Sequence, residues 1–258
     1  MVVKDERTAM TSDHGRTLEL LWGGGERPAR GPKPALSVDK IVRAAIDLAD
    51  KEGIDAVSMQ RVAAAVGKTT MSLYRYVSGK DQLVELMMDY AAEDAPPVPA
   101  GQDWRADVVA WVRAVWALLE RHPWILRIPL HGPPSGPRQL AWLEAGLRAM
   151  SGLGLTGGEM IAAMTFLDGA VRELARLGLD MSEAQREAGV TTQEADADFA
   201  AALRRFVDPV RFPTLASTVA DGTFDPEPGA DTSVLPDLEF GVQRLLDGLE
   251  AYARRRET

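Results

Sequence analysis

Apolar residues recur at helical spacing along most of this 258-residue chain, and no segment alternates as a half-buried strand would. Ile41, Val42, Ala45, Ile46 and Ala49 form one face of a helix expected over about 38–52, with Ser37 as its N-cap and Gly53 as its close. Ser58 caps a short helix over about 59–65 that turns Met59, Val62 and Val66 inward, and Gly67 ends it. A second short helix is expected over about 69–76, and a longer one over about 82–93 carries Leu83, Leu86 and Met87. Trp104, Val108, Trp111, Val112, Val115 and Leu119 trace a stripe along a helix over about 102–121, broken at His122-Pro123. Further helices are expected over about 138–151, 157–187, 194–207 and 236–256, with a Pro/Asp/Gly-rich, mobile connection at 208–235. The fold class is all-α.

Proline and glycine set the divisions. Residues 1–35 read as a flexible basic arm, in which Thr17 to Trp22 can form a short helix stopped by Gly23-Gly24-Gly25. Arg27-Pro28-Ala29-Arg30-Gly31-Pro32-Lys33-Pro34 is expected to be extended. Pro96, Pro97 and Pro99 separate a domain at 36–94 from one at 102–258.

The net charge of −9 changes the picture only when it is divided. An acidic surface repels phosphate, so the average argues against a nucleic-acid partner. Residues 1–92, however, hold 13 basic and 13 acidic residues, leaving 16 basic and 25 acidic, the whole excess, for the rest. Residues 58–80 contain Arg61, Lys68, Arg75 and Lys80 and no acid, and residues 27–33 add Arg27, Arg30 and Lys33. The chain is therefore an acidic body with two short cationic segments. It has no cysteine, which excludes thiolate metal sites, iron–sulfur clusters and a cysteine nucleophile. No apolar run is long enough to span a membrane and the start has no secretory pattern, so a soluble, cytoplasmic protein is expected.

Two short helices across a tight glycine turn, braced by a longer helix on either side, match helix-turn-helix geometry. In the second, Leu73 and Val77 can pack inward while Thr70, Ser72 and Arg75 point out, a set suited to base edges and phosphates. Helix-glycine-helix units are also common in plain bundles, and a cationic surface helix is often simply solvated. Gly67-Lys68-Thr69 does not make a phosphate-binding loop: Val62 stands where that motif needs glycine, and no strand precedes it. The histidines His14, His122 and His131 are scattered, and no serine sits in a nucleophile-elbow context, so no catalytic residue, metal site or cofactor is expected.

The specific residues sharpen this. Ile41-Val42-Arg43-Ala44-Ala45 with Gly53, Ser58 to Gly67, Leu73-Tyr74-Arg75-Tyr76-Val77-Ser78-Gly79-Lys80 and Leu83 resemble the N-terminal DNA-binding domain of the TetR family of transcriptional regulators. The basic Arg30-Gly31-Pro32-Lys33-Pro34 stretch and the helical remainder resemble its tetracycline-repressor-like branch. The resemblance implies a three-helix helix-turn-helix domain followed by a helical ligand-binding and dimerisation domain. It implies a homodimer whose recognition helices enter successive major grooves of double-stranded operator DNA. Gln60, Arg61, Thr70, Met71 and Ser72 then fall at base or nearby phosphate contacts, and Tyr74, Tyr76 and Lys80 at backbone-contacting or bracing positions. Lys68-Thr69 departs from the small or apolar residue followed by Gly or Ser of many relatives, adding a phosphate contact or altering operator choice. Arg27, Arg30 and Lys33 reach the adjacent minor groove, or remain weakly attractive disordered charge.

Five tryptophans between Trp104 and Trp142, beside a proline loop carrying His131, are core packing or the wall of a ligand cavity. By analogy with the family, Trp111, His131, Trp142, Met164 and Asp168 line a pocket for a small-molecule inducer. Met160, Met164, Leu167, Val171 and Leu174 follow a coiled-coil spacing, and the last helix has an apolar stripe, so helices 157–187 and 236–256 are expected to form the dimer interface unless both stripes face their own core. The reading is a ligand-responsive repressor released from its operator by a small molecule. A helical small-molecule-binding protein or enzyme with a vestigial helix-turn-helix is the alternative, and a DNA-binding protein without a ligand is a third.

Overall fold

The computed structural model describes residues 15–23, 36–92, 95–96, 103–130, 132–226 and 233–256. Among the described residues there is no strand, and no helix is long and apolar enough to cross a membrane. A helix over residues 15–21, α1, comes first. It is followed by α2 (Val38–Glu52), α3 (Met59–Ala65), α4 (Thr70–Leu73), α5 (Lys80–Ala91), α6 (Trp104–Arg121) and α7 (Pro137–Met150). Then come α8 (Gly157–Ala188), α9 (Thr192–Phe206), α10 (Pro213–Ala220) and α11 (Leu235–Arg256).

The chain forms two compact units, one of Met1–Arg172 with Leu245–Thr258, the other of Glu173–Arg244. The line between the two units falls inside α8 and α11. Within the first unit, polar groups tie α2 and α5 to α7 and to the turn that follows α6. Trp142 Nε1 donates to Ala92 O at 3.1 Å. Asp50 Oδ1 lies 2.7 Å from both His122 Nδ1 and Trp124 Nε1. Asp89 is fully buried and accepts from the backbone N–H groups of Arg138 and Gln139 at 3.0 and 3.1 Å, capping α7 from a neighbouring helix. The Arg138 guanidinium reaches its other oxygen at 3.2 Å and stacks on Tyr90.

Under these ties lies the apolar core. Ile41, Val42, Ala45 and Ala49 on α2 pack against α5, where Leu83, Leu86 and Met87 are completely buried. Each of the Ile, Val, Leu and Met side chains removed from water here contributes roughly 1.5–3 kcal/mol.

The short helix expected over Thr17 to Trp22 is α1, and its Thr17 is buried and hydrogen-bonded. Two stretches differ from the periodicity. The connection at 208–235 contains α10, begun by Pro213 at its first turn. The expected coiled-coil seam on α8 is turned into the protomer: Met164, Leu167 and Val171 are buried, with Met160 and Leu174 half-buried. The opposite side of α8 carries exposed Ile161, Ala162, Thr165, Phe166 and Gly169. On α11, Leu238, Val242 and Leu246 are likewise buried, while Gly248, Ala251 and Tyr252 are exposed.

Within the first unit the ends of α8 and α11 are pinned by Glu159. Its carboxylate accepts from Tyr252 Oη at 2.6 Å and from Arg256 at 2.8 Å. It also takes Thr156 N–H at 2.7 Å, and these donors, Tyr252 foremost, hold its pKa down to about 2. In the second unit, a reciprocal capping box between Thr191 and Glu194 starts α9. Phe199 meets Phe224 edge-on there, and Arg204 pairs with Asp225.

Candidate nucleic-acid interface

The surface of residues 58–80 is built from a few local decisions. Ser58 accepts from Arg61 N at 3.2 Å and starts α3. Gly67 has φ +65°, a left-handed conformation that lets the chain leave α3 in one residue, and Lys68 N–H closes the turn on Ala63 O at 2.9 Å. Thr69 is extended, and α4 begins at once. The second short helix is therefore only Thr70–Leu73, continued as helical turns through Tyr76 rather than as regular helix over 69–76. Leu73 and Val77, both completely buried, fix its inner side.

The outer side carries the predicted contacts. Gln60, Arg61, Lys68, Thr69, Met71, Tyr74, Arg75 and Lys80 are exposed, and Thr70, Ser72 and Tyr76 are half-buried. Met71, at 75% exposure, stands at the crest of α4, where an apolar side chain gains nothing from solvent. The Thr69 and Ser72 hydroxyls hydrogen-bond each other at 2.9 Å, and Tyr74 is open to solvent. Arg61 is already engaged, its guanidinium 2.6 Å from Glu52 Oε1. Of the predicted cations here, Lys68 and Lys80 lack such a carboxylate partner among the described residues. Arg27, Arg30 and Lys33 lie outside the described residues.

The residues expected to line a ligand pocket come together only in part. Trp111 Nε1 donates to Trp142 O at 2.9 Å, and Met164 packs over Gly146, where an added Cβ would lie 2.1 Å from Met164 Cε and 3.2 Å from Trp111 Nε1. That space is filled. Asp168 is partly exposed and paired with Arg172 at 2.8 Å. His131 lies outside the described residues. A groove of about 520 Å³ has walls from α2, α5 and α6, and of the predicted set Trp142 lines it. Ile46, Ala91, Ala114 and Leu118 give it apolar walls beside Tyr90, and Arg43, Asp47 and Arg121 supply charge.

Sequence reasoning missed Asp89, Gly136, Gln82 and the Asp50–His122 pair. Only Gln82 left a signal, a glutamine in the first turn of a helix where it can reach back to the preceding backbone.

Comparison with known proteins gives independent findings. Residues 41–87 match the family of bacterial regulatory proteins called tetR, and residues 96–253 match the tetracyclin repressor-like C-terminal domain. The HTH-type transcriptional repressor DrrR1 of Streptomyces coeruleorubidus is 40% identical over 251 residues, covering 96% of this chain and 90% of that one. Apo ActR from Streptomyces coelicolor superposes with a TM-score of 0.71 at 23% identity, covering 87% of this chain and 100% of that one. ActR in complex with actinorhodin superposes with a TM-score of 0.68 at 24% identity, over 86% and 99%.

Proposed function

Because this chain belongs to the TetR family of bacterial transcriptional regulators, we propose that it is a dimeric repressor that binds operator DNA through residues 58–80 and is released by a small molecule. The observation that carries the reading is the surface of α3 and α4. It is exposed, free of acidic residues across 58–80, and mounted on an otherwise acidic chain. Lys68 and Lys80 neutralise phosphates and release counterions, Thr70, Ser72 and Gln60 offer hydrogen bonds to base edges, and Met71 offers an apolar contact to a thymine methyl. Arg61 must exchange Glu52 for a phosphate or base to take part.

Dimerisation uses α8 and α11, through the exposed side of each. In the first unit Ile161 and Phe166 supply apolar area, and Gly169 and Gly248 allow close approach. Two faces meeting about a twofold axis make an isologous interface.

The groove of about 520 Å³ is the candidate inducer site. Its apolar walls, Tyr90 and Trp142 suit a flat molecule, and the charges of Arg43, Asp47 and Arg121 suit polar groups at its edges. The ActR–actinorhodin complex is a precedent from the fold for a bound small molecule. The groove is walled by α2 and α5 of the reading head as well as α6, so a ligand held better in one arrangement of these helices than another shifts the population away from the DNA-binding one. Selection of bound duplexes from a random pool tests the reading, followed by screening of small molecules for release. A recovered inverted repeat and a releasing compound are expected; failure to enrich any duplex contradicts it.

A further inference from the structure

We propose that α1 is a brace for the DNA-reading element, acting through Thr17 and Gln82, which are positioning residues and touch no DNA. The inference rests on the reading that residues 58–80 bind DNA. Gln82 lies in the first turn of α5 and is almost fully buried. Its two ends are both committed. Oε1 accepts from Ser78 N–H at 2.7 Å, and Nε2 donates to Thr17 Oγ1 at 3.3 Å across 65 residues of sequence. Thr17 is itself buried, at 2% exposure. At the far end of α1, Trp22 Nε1 donates to Ser135 O at 3.1 Å, just ahead of α7.

Ser78 belongs to the turn through which the chain leaves the recognition segment. With α4 only four residues long, the segment has little helical rigidity of its own, and its placement is set by Leu73 and Val77 below and by the turn at its exit. Gln82 holds that turn, and Thr17 fixes which way the Gln82 amide faces. Without the Thr17 hydroxyl, Nε2 is a buried donor with no acceptor there, so the amide is driven to rotate or leave, and Ser78 N–H loses its partner. An element outside the helix-turn-helix thus sets how well the reading surface is formed before DNA arrives, which reduces the ordering cost on binding.

The test uses the full chain as wild type, Thr17→Val and Thr17→Ser, with amide hydrogen exchange at residues 77–79 and binding to the duplex selected by the wild type. Thr17→Val conserves volume and removes the hydroxyl; Thr17→Ser keeps it. Expected are faster exchange at Ser78 and roughly tenfold weaker duplex binding for Thr17→Val. An unchanged salt dependence is also expected, because the phosphate contacts remain, with both losses restored in Thr17→Ser. Trp22→Phe, which removes only the outer hydrogen bond, shows the same direction with a smaller loss. Ser78 exchange and duplex affinity in Thr17→Val equal to wild type overturn the brace while leaving the DNA reading intact. A wild type that enriches no duplex yet shows the Ser78 exchange effect overturns the DNA reading and, with it, the brace's purpose. An equal affinity loss in Thr17→Val and Thr17→Ser also overturns the brace, since it marks general destabilisation.

Discussion

The Asp89 carboxylate occupies the space that a side chain at residue 136 would need: a Cβ built on Gly136 would lie 2.1 Å from Asp89 Oδ1. That proximity lets a buried acid on α5 cap α7. Gly136→Ala forces the carboxylate off the Arg138 and Gln139 N–H groups, leaving two helix-terminal donors and a buried charge without their partners. A loss of about 2 kcal/mol is expected, read as a lower urea midpoint with unchanged slope. An unchanged midpoint would show that Asp89 contributes little to holding the two helices together.

The two sides of α8 have opposite expected behaviour. Phe166→Glu places a charge on the exposed face and should yield folded monomers in sedimentation, with Tm close to that expected of a protomer alone. Leu167→Glu, one residue on, buries an unpaired carboxylate and should lower stability by more than about 3 kcal/mol or prevent folding. The pattern proposed for the dimer fails if Phe166→Glu remains dimeric.

Glu159 gives a pH dependence with a definite sign. Tyr252, Thr156 and Arg256 donate to its charged form and lower its pKa from 4.5 to about 2. A depressed carboxylate pKa stabilises the fold fully above its unfolded value and loses that contribution as pH falls through its folded value. The Tm difference between wild type and Glu159→Gln should therefore be full above about pH 4.5 and close as pH drops toward 2. A difference constant across that range would mean that the charged form of Glu159 is not preferentially held.

Filling the groove separates ligand response from DNA binding. Ala117 lines it and is itself exposed. Ala117→Phe should abolish release by an inducer found in the screen and leave ligand-free operator affinity unchanged. Continued release with unchanged inducer affinity would place the inducer elsewhere.

The sequence was most legible where one residue's chemistry decides a local structure. Ser37, Ser58 and Gly67 begin and end helices where their side chains, or the lack of one, predict. It was less legible where partners are remote. Met164, Leu167 and Val171 have the spacing of an intermolecular seam, but periodicity defines a stripe and not what covers it; here the chain's own core does. The tryptophans left core packing and a cavity wall both open; Trp111 closes with Met164 around Gly146 while Trp142 lines the groove, because whether bulky side chains line a space or fill it depends on the residue opposite. Thr17 was placed in a short helix within a flexible arm, but nothing in its local sequence signalled that it would be buried against Gln82, which lies 65 residues away.

Whether residues 58–80 meet DNA is decided most directly by the salt dependence of binding. Wild type and Lys68→Ala/Lys80→Ala should be titrated with the selected duplex across a salt series. Each lost lysine–phosphate contact should lower the magnitude of the log–log slope by about 0.9, summed over both lysines of both protomers. Identical slopes and affinities for the two proteins would contradict the claim that this surface binds the operator.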